Sequence, residues 1–171
     1  MVNTNNTQSW AIVFSELPTN LDMMKSLPEA ALKEPHQAAA LLIPALCLWP
    51  TDQSMAIEML NYLGGPKELT PREIQFINDR FRNKEYLPFS YFQGSSPEND
   101  YDPAEPFTVM ISAVPTSFDE PGYAKLYLKS SGADSPRPVQ LRFKESTGEW
   151  YLWDQMILSE IRVPVAKDPW A

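Results

Sequence analysis

Histidine and cysteine, which often bind metals or take part in nucleophilic catalysis, each occur once in this chain, as His36 and Cys47. On one straight helix the two residues would lie about three turns, or roughly 16 Å, apart, which excludes a cysteine–histidine pair. One cysteine excludes an intramolecular disulfide and a thiolate cluster, and one histidine excludes the histidine-based zinc motifs. We therefore expect no metal site and no cofactor, and we interpret Cys47 as a small core residue.

Two predicted loops carry side-chain oxygens that could act on a ligand. The acidic loop 98–105 offers carboxylates to a cation, but it lacks the glycine turn and the distant glutamate of an EF-hand. The sequence leaves open whether this loop binds a cation. The connection Ser130–Pro138 contains Ser135, but no G-x-S-x-G elbow surrounds that serine. We predict no catalytic residue in either loop.

The favoured candidate site is a set of aromatic and basic side chains that begins on one predicted strand. Apolar residues alternate there with Tyr123, Lys125, Tyr127 and Lys129, which indicates a strand with one buried and one exposed face. Tyrosine, tryptophan and arginine are enriched at protein interfaces, although lysine stems lying over tyrosines would give the same pattern. The candidate binding residues are Tyr123, Lys125, Tyr127, Lys129, Arg137, Arg142 and Trp150.

These residues favour a non-catalytic protein-interaction module that binds through an aromatic and basic sheet face. The alternative is a small-molecule or enzymatic pocket between helices and sheet, in which a carboxylate acts as acid or base. Its predicted lining residues are Tyr86, Phe89, Tyr91 and Trp153. Its candidate carboxylates are Asp79, Asp119, Glu120 and Asp154. The sequence does not indicate that any two of these carboxylates lie close together in space.

The charge distribution narrows the class of partner. The net charge of −8 disfavours nucleic acid and anionic membranes, because both require a basic surface. Residues 1–121 carry 7 Lys or Arg against 16 Asp or Glu, whereas residues 122–171 carry 7 against 6. We expect an unidentified protein partner or self-association. The polar N-terminus and the single cysteine favour a cytoplasmic location.

The segment Thr70-Pro71-Arg72-Glu73 is a strong helix-start signal, because Thr70 can cap the backbone and Glu73 can close a capping box. The helix it opens carries Ile74, Ile77 and Phe81 on one stripe, and we expect it to cover the sheet together with the preceding helices. Other helices are predicted at Ser26–Lys33, at His36–Leu48, with a kink or restart at Pro44, and at Asp52–Leu63.

The C-terminal half predicts an antiparallel meander. Gly148 suits a three-residue hairpin loop, which would place Leu141 opposite Trp153 and Phe143 opposite Tyr151 on the core face. That register leaves Arg142, Lys144 and Trp150 on the other face. The predicted fold is α+β, with three to four helices packed on one face of a roughly four-stranded antiparallel meander sheet. Residues 1–8 are expected to be a disordered tail and 9–171 a single domain, helical over about 20–83 and sheet over about 106–158.

Four segments resemble an uncharacterised family of bacterial domains found mainly in Firmicutes. They are Gly64–Phe81, Tyr86–Tyr101, Ser131–Arg137 and Asp168–Ala171. The resemblance implies a domain of unknown function and supplies no catalytic or ligand-binding residue. At the level of architecture alone, helices followed by a meander are similar to cystatin-like and nuclear-transport-factor-like cones.

Overall fold

The computed structural model describes residues 8–171, in which four α-helices accompany one antiparallel sheet of five strands. The elements, in chain order, are β1 (Ser9–Phe14), α1 (Leu21–Lys25), α2 (Pro35–Cys47), α3 (Gln53–Gly64), α4 (Pro71–Phe81), β2 (Phe107–Ser112), β3 (Tyr123–Leu128), β4 (Arg137–Lys144) and β5 (Glu149–Gln155). The strands lie in the order β1-β2-β3-β4-β5. The predicted α+β class is confirmed.

The sheet has five strands, one more than the roughly four that the sequence predicts. Strand β1 pairs antiparallel with β2, from Ser9 opposite Ser112 to Phe14 opposite Phe107. All four helices are therefore inserted between two adjacent strands of the sheet. The expected disordered tail, residues 1–8, lies outside the described residues except for Gln8, whose carbonyl accepts a hydrogen bond from Ala113 N (2.8 Å).

Helix α2 forms the centre of the helical layer. Ten of its 13 residues are buried, because alanine and leucine surround almost its whole circumference. It contacts four strands, β2 to β5, and it continues through Pro44 without a break, contrary to the expected restart. Leu126 and Leu141 are fully buried on the sheet face that this helix covers.

Helix α4 begins as the sequence predicts. Glu73 N donates to Thr70 Oγ1 (3.1 Å) and Thr70 N donates to Glu73 Oε2 (2.8 Å), which completes the capping box. The expectation that α4 and the preceding helices cover the sheet is confirmed for α2, which contacts β2 to β5, and for α3, which contacts β5, but α4 makes no comparable contact with a strand. Helix α4 lies beside α2, where Phe81 stacks on Trp49 at a ring-centre distance of 6.3 Å.

The first predicted helix is also corrected. Helix α1 begins earlier, at Leu21, because the Asn20 side chain accepts a hydrogen bond from Met23 N (2.8 Å). The segment Pro28–Ala31 is instead a short 3-10 helix without a side-chain cap. Ser26 donates its hydroxyl back to the Met23 carbonyl (2.6 Å), so it closes α1 and opens no capping box.

The predicted hairpin register between β4 and β5 is wrong by one residue. Gly148 takes the expected left-handed conformation (φ +69°), but Lys144 pairs with Glu149, so the loop holds four residues. Leu141 therefore pairs with Leu152, and Phe143 with Trp150. Because a shift of one residue exchanges the two faces of a strand, Trp150 lies on the covered face, where its ring centre is 5.1 Å from that of Phe143.

Candidate functional site

The face of the sheet that α2 leaves uncovered, called the open face here, carries most of the candidate binding residues. Tyr123 pairs with Arg142 across β3 and β4, so the two side chains share this face. Lys125 and Tyr127 follow at alternate positions along β3, with Lys125 exposed and Tyr127 half-buried. The predicted strand therefore presents its aromatic and basic side chains together.

On the open face, an arginine lies against two adjoining aromatic rings. Arg142 Cζ lies 4.6 Å from the ring centre of Trp153 and 5.6 Å from that of Tyr123. The two rings meet edge to face at 6.0 Å, so they adjoin each other and do not lie on opposite sides of the guanidinium. These distances permit cation–π attraction to both rings, which orients the guanidinium. We call these three residues the Arg142 clamp.

The donors of the Arg142 clamp are unused within the described part of the chain. Among residues 8–171, the Arg142 guanidinium forms neither an ion pair nor a hydrogen bond with another side chain or backbone group. A guanidinium offers five N–H donors in a rigid planar fork. The ring faces orient this group while its donor edges stay available to a ligand.

The register between β4 and β5 explains why Trp153 joins the clamp. Leu152 lies opposite the buried Leu141, so Trp153, the next residue along β5, points to the open face and contacts Arg142. The regular pairing ends there in a β-bulge: Gln140 pairs with Asp154, so Trp153 is an extra residue with no partner on β4.

The loop between α3 and α4 places a second cation against the same tryptophan. Lys67 Nζ lies 4.7 Å from the Trp153 ring centre and donates to the Trp153 carbonyl (3.3 Å). It also forms an ion pair with Glu73 Oε1 at 3.4 Å. Burial acts to raise the pKa of Glu73, but the hydrogen bond from the Thr70 backbone and the charge of Lys67 hold that pKa below its ordinary value. Glu73 is therefore an ionised carboxylate engaged within the protein.

A groove of about 490 Å³ opens beside the clamp. Its lining residues are Gly64, Pro66, Lys67, Arg142, Phe143, Lys144, Tyr151, Leu152 and Trp153. The lining includes three cationic side chains and no carboxylate, although the whole chain carries −8. The groove is therefore a local region of positive charge on an acidic protein.

Gly65 allows the wall of this groove to form. It adopts a left-handed conformation (φ +60°), and an added Cβ would lie only 2.5 Å from Tyr151 Cδ1. Glycine alone permits both this backbone conformation and the close contact with the tyrosine ring. A second groove of about 300 Å³ continues beyond Lys67, between α4 and β5, with Phe76 and Asp154 in its lining.

Three predicted site residues lie elsewhere. The Arg137 guanidinium donates to the carbonyls of Ser159 (3.1 Å) and Glu160 (2.9 Å), so it anchors the segment after β5. Trp150 faces the helical layer, and its backbone N donates to the Leu32 carbonyl (2.7 Å). Lys129 follows the end of β3, where its backbone N donates to the Met110 carbonyl (3.1 Å). None of these three residues belongs to the clamp.

Sequence reasoning missed Trp153 and Lys67 as members of the open face. Trp153 was assigned to the core because the predicted loop was one residue too short. Lys67 carries no local signal, because its contact with β5 depends on how the loop between α3 and α4 returns to the sheet. The Gly64-Gly65-Pro66 segment marked a turn without indicating what the turn approaches.

The residues predicted to line an enclosed pocket do not share one cavity. The Tyr91 hydroxyl is buried and donates to the Ile157 carbonyl, and burial raises its pKa. Tyr86 is also buried and stacks on Tyr101 at a ring-centre distance of 5.3 Å. Phe89 lies edge-on to Phe92, whereas Trp153 lies on the open face.

The candidate carboxylates do not form an acid–base pair in the contacts described. Asp79 Oδ1 accepts hydrogen bonds from Gln75 Nε2 (2.9 Å) and Arg82 (3.2 Å) on the surface of α4. Asp119 and Glu120 lie in the turn before β3, and Asp154 lines the second groove. Each carboxylate therefore has a different environment.

The acidic loop 98–105 is organised by an amide side chain. Asn99 Nδ2 donates to the carbonyls of Gly94 (2.8 Å) and Asp102 (3.2 Å), and Asn99 Oδ1 accepts from Ser96 N (2.8 Å). Across residues 8–171, no group of three or more His, Cys, Asp or Glu side chains is arranged to hold a metal ion. In the same part of the chain, no helix combines the length and apolar character needed to cross a membrane.

Comparison with known proteins identifies one family. A family described as a domain of unknown function, DUF6935, matches residues 16–165, which include all four α-helices and all strands except β1. No curated protein and no solved structure matches the chain. The expected bacterial origin and the expected likeness to cystatin-like cones stay predictions. The predicted kinship with an uncharacterised domain family is confirmed: the chain belongs to the DUF6935 family.

Proposed function

We propose that this protein is a non-catalytic interaction module that binds an acidic segment of a partner protein on its open face. The observation that carries the proposal is the Arg142 clamp, in which an arginine without a protein partner among residues 8–171 is oriented by two aromatic rings. Because the guanidinium is already oriented in the free protein, less conformational entropy is lost when a ligand binds.

A carboxylate is the ligand group that fits the clamp. The planar guanidinium binds a carboxylate through two parallel charge-assisted hydrogen bonds. Lys67 and Lys144 lie in the lining of the same groove, where Lys144 adds positive charge and the charge of Lys67 is partly offset by its ion pair with Glu73. The aromatic rings of Tyr151 and Trp153 offer apolar area for the side chains that flank an acidic residue.

The charges and carboxylates of the site support binding rather than catalysis. Glu73, the acidic group that pairs with Lys67, has both carboxylate oxygens engaged within the protein, because Oε2 accepts from Thr70 N and Oε1 contacts Lys67. The net charge of −8 disfavours nucleic acid and membrane surfaces and also repels an acidic partner at long range, so the proposed binding depends on the local cations of the groove. We also propose a cytoplasmic location, which fits a chain with one cysteine.

Calorimetric titration with a short polyglutamate peptide tests the proposal. We expect saturable binding that weakens with added salt, and no binding of the matched polyglutamine peptide. Arg142→Lys should weaken the binding of polyglutamate by about tenfold or more, because a lysine lacks the bidentate fork. Arg82→Lys is the matched control, since Arg82 pairs with Asp79 on α4 and does not line the groove.

Two results would contradict the proposal: polyglutamate that does not bind, or binding that Arg142→Lys and Arg82→Lys weaken equally. The second candidate function is capture of a small carboxylate-bearing molecule, which the groove volume of about 490 Å³ favours. A single free glutamate that binds as tightly as the peptide supports this alternative, because a protein-binding face should gain affinity from the longer chain.

A further inference from the structure

The two edge strands of the sheet differ in how their backbone is protected. At the β5 edge, Trp150 N donates to the Leu32 carbonyl (2.7 Å), and Lys67 Nζ donates to the Trp153 carbonyl (3.3 Å). The bulge at Trp153 further interrupts this edge. Natural proteins use such coverage, bulges and charged side chains to prevent another strand from adding to an exposed edge.

At the β1 edge, none of those devices is present among residues 8–171. Strand β1 reads Ser-Trp-Ala-Ile-Val-Phe, without a charged residue or proline, and its pairing with β2 is continuous without a bulge. The first charged side chain of the chain is Glu16, beyond the end of the strand. Val13 is 51% exposed although it is a β-branched apolar residue. An uncovered strand of this composition favours pairing with another strand.

The register of β1 shows which backbone groups are available. Ala113 N donates to the Gln8 carbonyl, so Gln8 and every second residue after it bond to β2. The N–H and C=O groups of Ser9, Ala11 and Val13 consequently point away from the sheet. Within residues 8–171 no hydrogen bond is made by the backbone of these three residues on that side.

We propose that β1 pairs antiparallel with β1 of a second copy, which gives a symmetric dimer with one continuous sheet. A second copy fits this edge because the strand is self-complementary and uncharged. Two copies of the chain repel each other because each has a net charge of −8, and this repulsion is smallest when they meet at β1, which has no charged side chain. The outward-pointing N–H and C=O groups of these three residues in one strand would form hydrogen bonds with the same groups of the other strand.

One register pairs all of these groups. With Ala11 opposite Ala11 of the second copy, Ser9 faces Val13 and Val13 faces Ser9, which allows about six hydrogen bonds between the strands. Trp10 then lies opposite Ile12 of the second copy on the covered face, where both side chains are half-buried in one protomer. An aromatic side chain opposite a β-branched one is a stabilising cross-strand pair.

The symmetry of this dimer would place both open faces on the same side. A two-fold axis perpendicular to the sheet keeps both helical layers on one side and both open faces on the other. The dimer would present two Arg142 clamps toward the same side. This inference stands on a different surface from the proposed binding of acidic segments, so either proposal holds if the other fails.

Sedimentation equilibrium of the full chain over a wide concentration range tests the dimer. We expect the apparent mass of the wild type to double as concentration rises, and Ala11→Lys to remain monomeric because two lysines would face each other. Ala11→Glu should also be monomeric, whereas an equimolar mixture of Ala11→Lys and Ala11→Glu should form a heterodimer. Asp154→Lys, which places a lysine on the opposite edge strand, is the matched control and should dimerise.

Circular dichroism shows whether each variant retains the fold, and hydrogen exchange locates the contact. The amides of Ser9, Ala11 and Val13 should become protected only at concentrations where the mass doubles. A wild type that is monomeric throughout overturns the proposal. So does a dimer that Ala11→Lys leaves intact, a mixture that fails to pair, or protection of these amides in the monomer, which would indicate that residues 1–7 cover the edge.

Discussion

The two faces of the sheet are stabilised by different interactions, as two neighbouring residues on β4 show. Leu141 is completely buried beneath α2, with 0% of its surface accessible, whereas the next residue, Arg142, lies on the open face against two aromatic rings. Burial of apolar surface stabilises the first face, at about 25 cal/mol per Å². The second face gains little, because exposed cation–π contacts contribute about 0.5–1 kcal/mol. The covered face therefore maintains the fold, and the open face is free to serve binding.

The largest expected effect tests this division directly. Leu141→Ala should lower the free energy of unfolding by about 2–5 kcal/mol, because it leaves a cavity beneath α2. Arg142→Ala, one residue away, should cost no more than about 1 kcal/mol. Urea denaturation followed by circular dichroism measures both values. Equal losses for the two variants would contradict the division between the faces.

The next largest effect concerns Gly65, which forms the wall of the groove beside Tyr151. Gly65→Ala should destabilise the protein by about 1–3 kcal/mol, since the added Cβ enters the Tyr151 ring and the left-handed backbone disfavours alanine. It should also displace the loop that carries Lys67 and weaken the binding of polyglutamate. Gly122→Ala, also left-handed (φ +82°) but with no atom near the added Cβ, separates backbone strain from the steric clash. The prediction is wrong if the two alanine variants are equally stable.

A smaller effect is expected from the cap of α4, which holds Glu73 for Lys67. Thr70→Ala should cost about 1 kcal/mol, because Glu73 N loses its side-chain acceptor. Thr70→Ser should retain most of the stability, since the serine hydroxyl can accept the same bond. Thermal denaturation of the three proteins measures the difference, and an alanine variant as stable as the wild type would exclude a contribution from the capping box.

The smallest expected effect is a pH dependence of the free energy of unfolding, which arises from His36 where α2 contacts β1. His36 stacks on Trp10 at 4.5 Å, and its buried Nδ1 has no hydrogen-bond partner in the described residues. Burial lowers the pKa of His36 below its ordinary 6.5, although Glu34 and Glu29 act in the opposite direction. The folded protein therefore binds this proton less readily than the unfolded chain does. Its contribution to stability is complete above pH 6.5 and is lost as the pH falls from 6.5 through the folded pKa.

Urea denaturation at about pH 8 and at about pH 5 measures that dependence. His36→Phe, which keeps an aromatic ring against Trp10 but cannot titrate, should lose less stability than the wild type on acidification. The carboxylates of the chain titrate in both proteins, so the comparison isolates the histidine. An identical loss in the two proteins would show that His36 does not contribute.

The sequence by itself determined the features that depend on neighbouring residues. The Thr70–Glu73 capping box and the alternation around Tyr123 and Lys125 are local, because a cap spans one helical turn and a strand face repeats every second residue. The α+β class followed from the same periodicities. The shared face of Tyr123 and Arg142 also followed from alternation on two adjacent strands.

Only the tertiary structure decided which parts of the chain meet. One extra loop residue exchanged the faces of both Trp150 and Trp153, which moved Trp150 to the covered face and brought Trp153 against Arg142. The contact between Lys67 and Trp153 joins residues far apart in the chain, so no local pattern encodes it. The Arg142 clamp and the uncovered β1 edge arise in the same way, because hydrogen-bond register and long-range packing are properties of the assembled sheet.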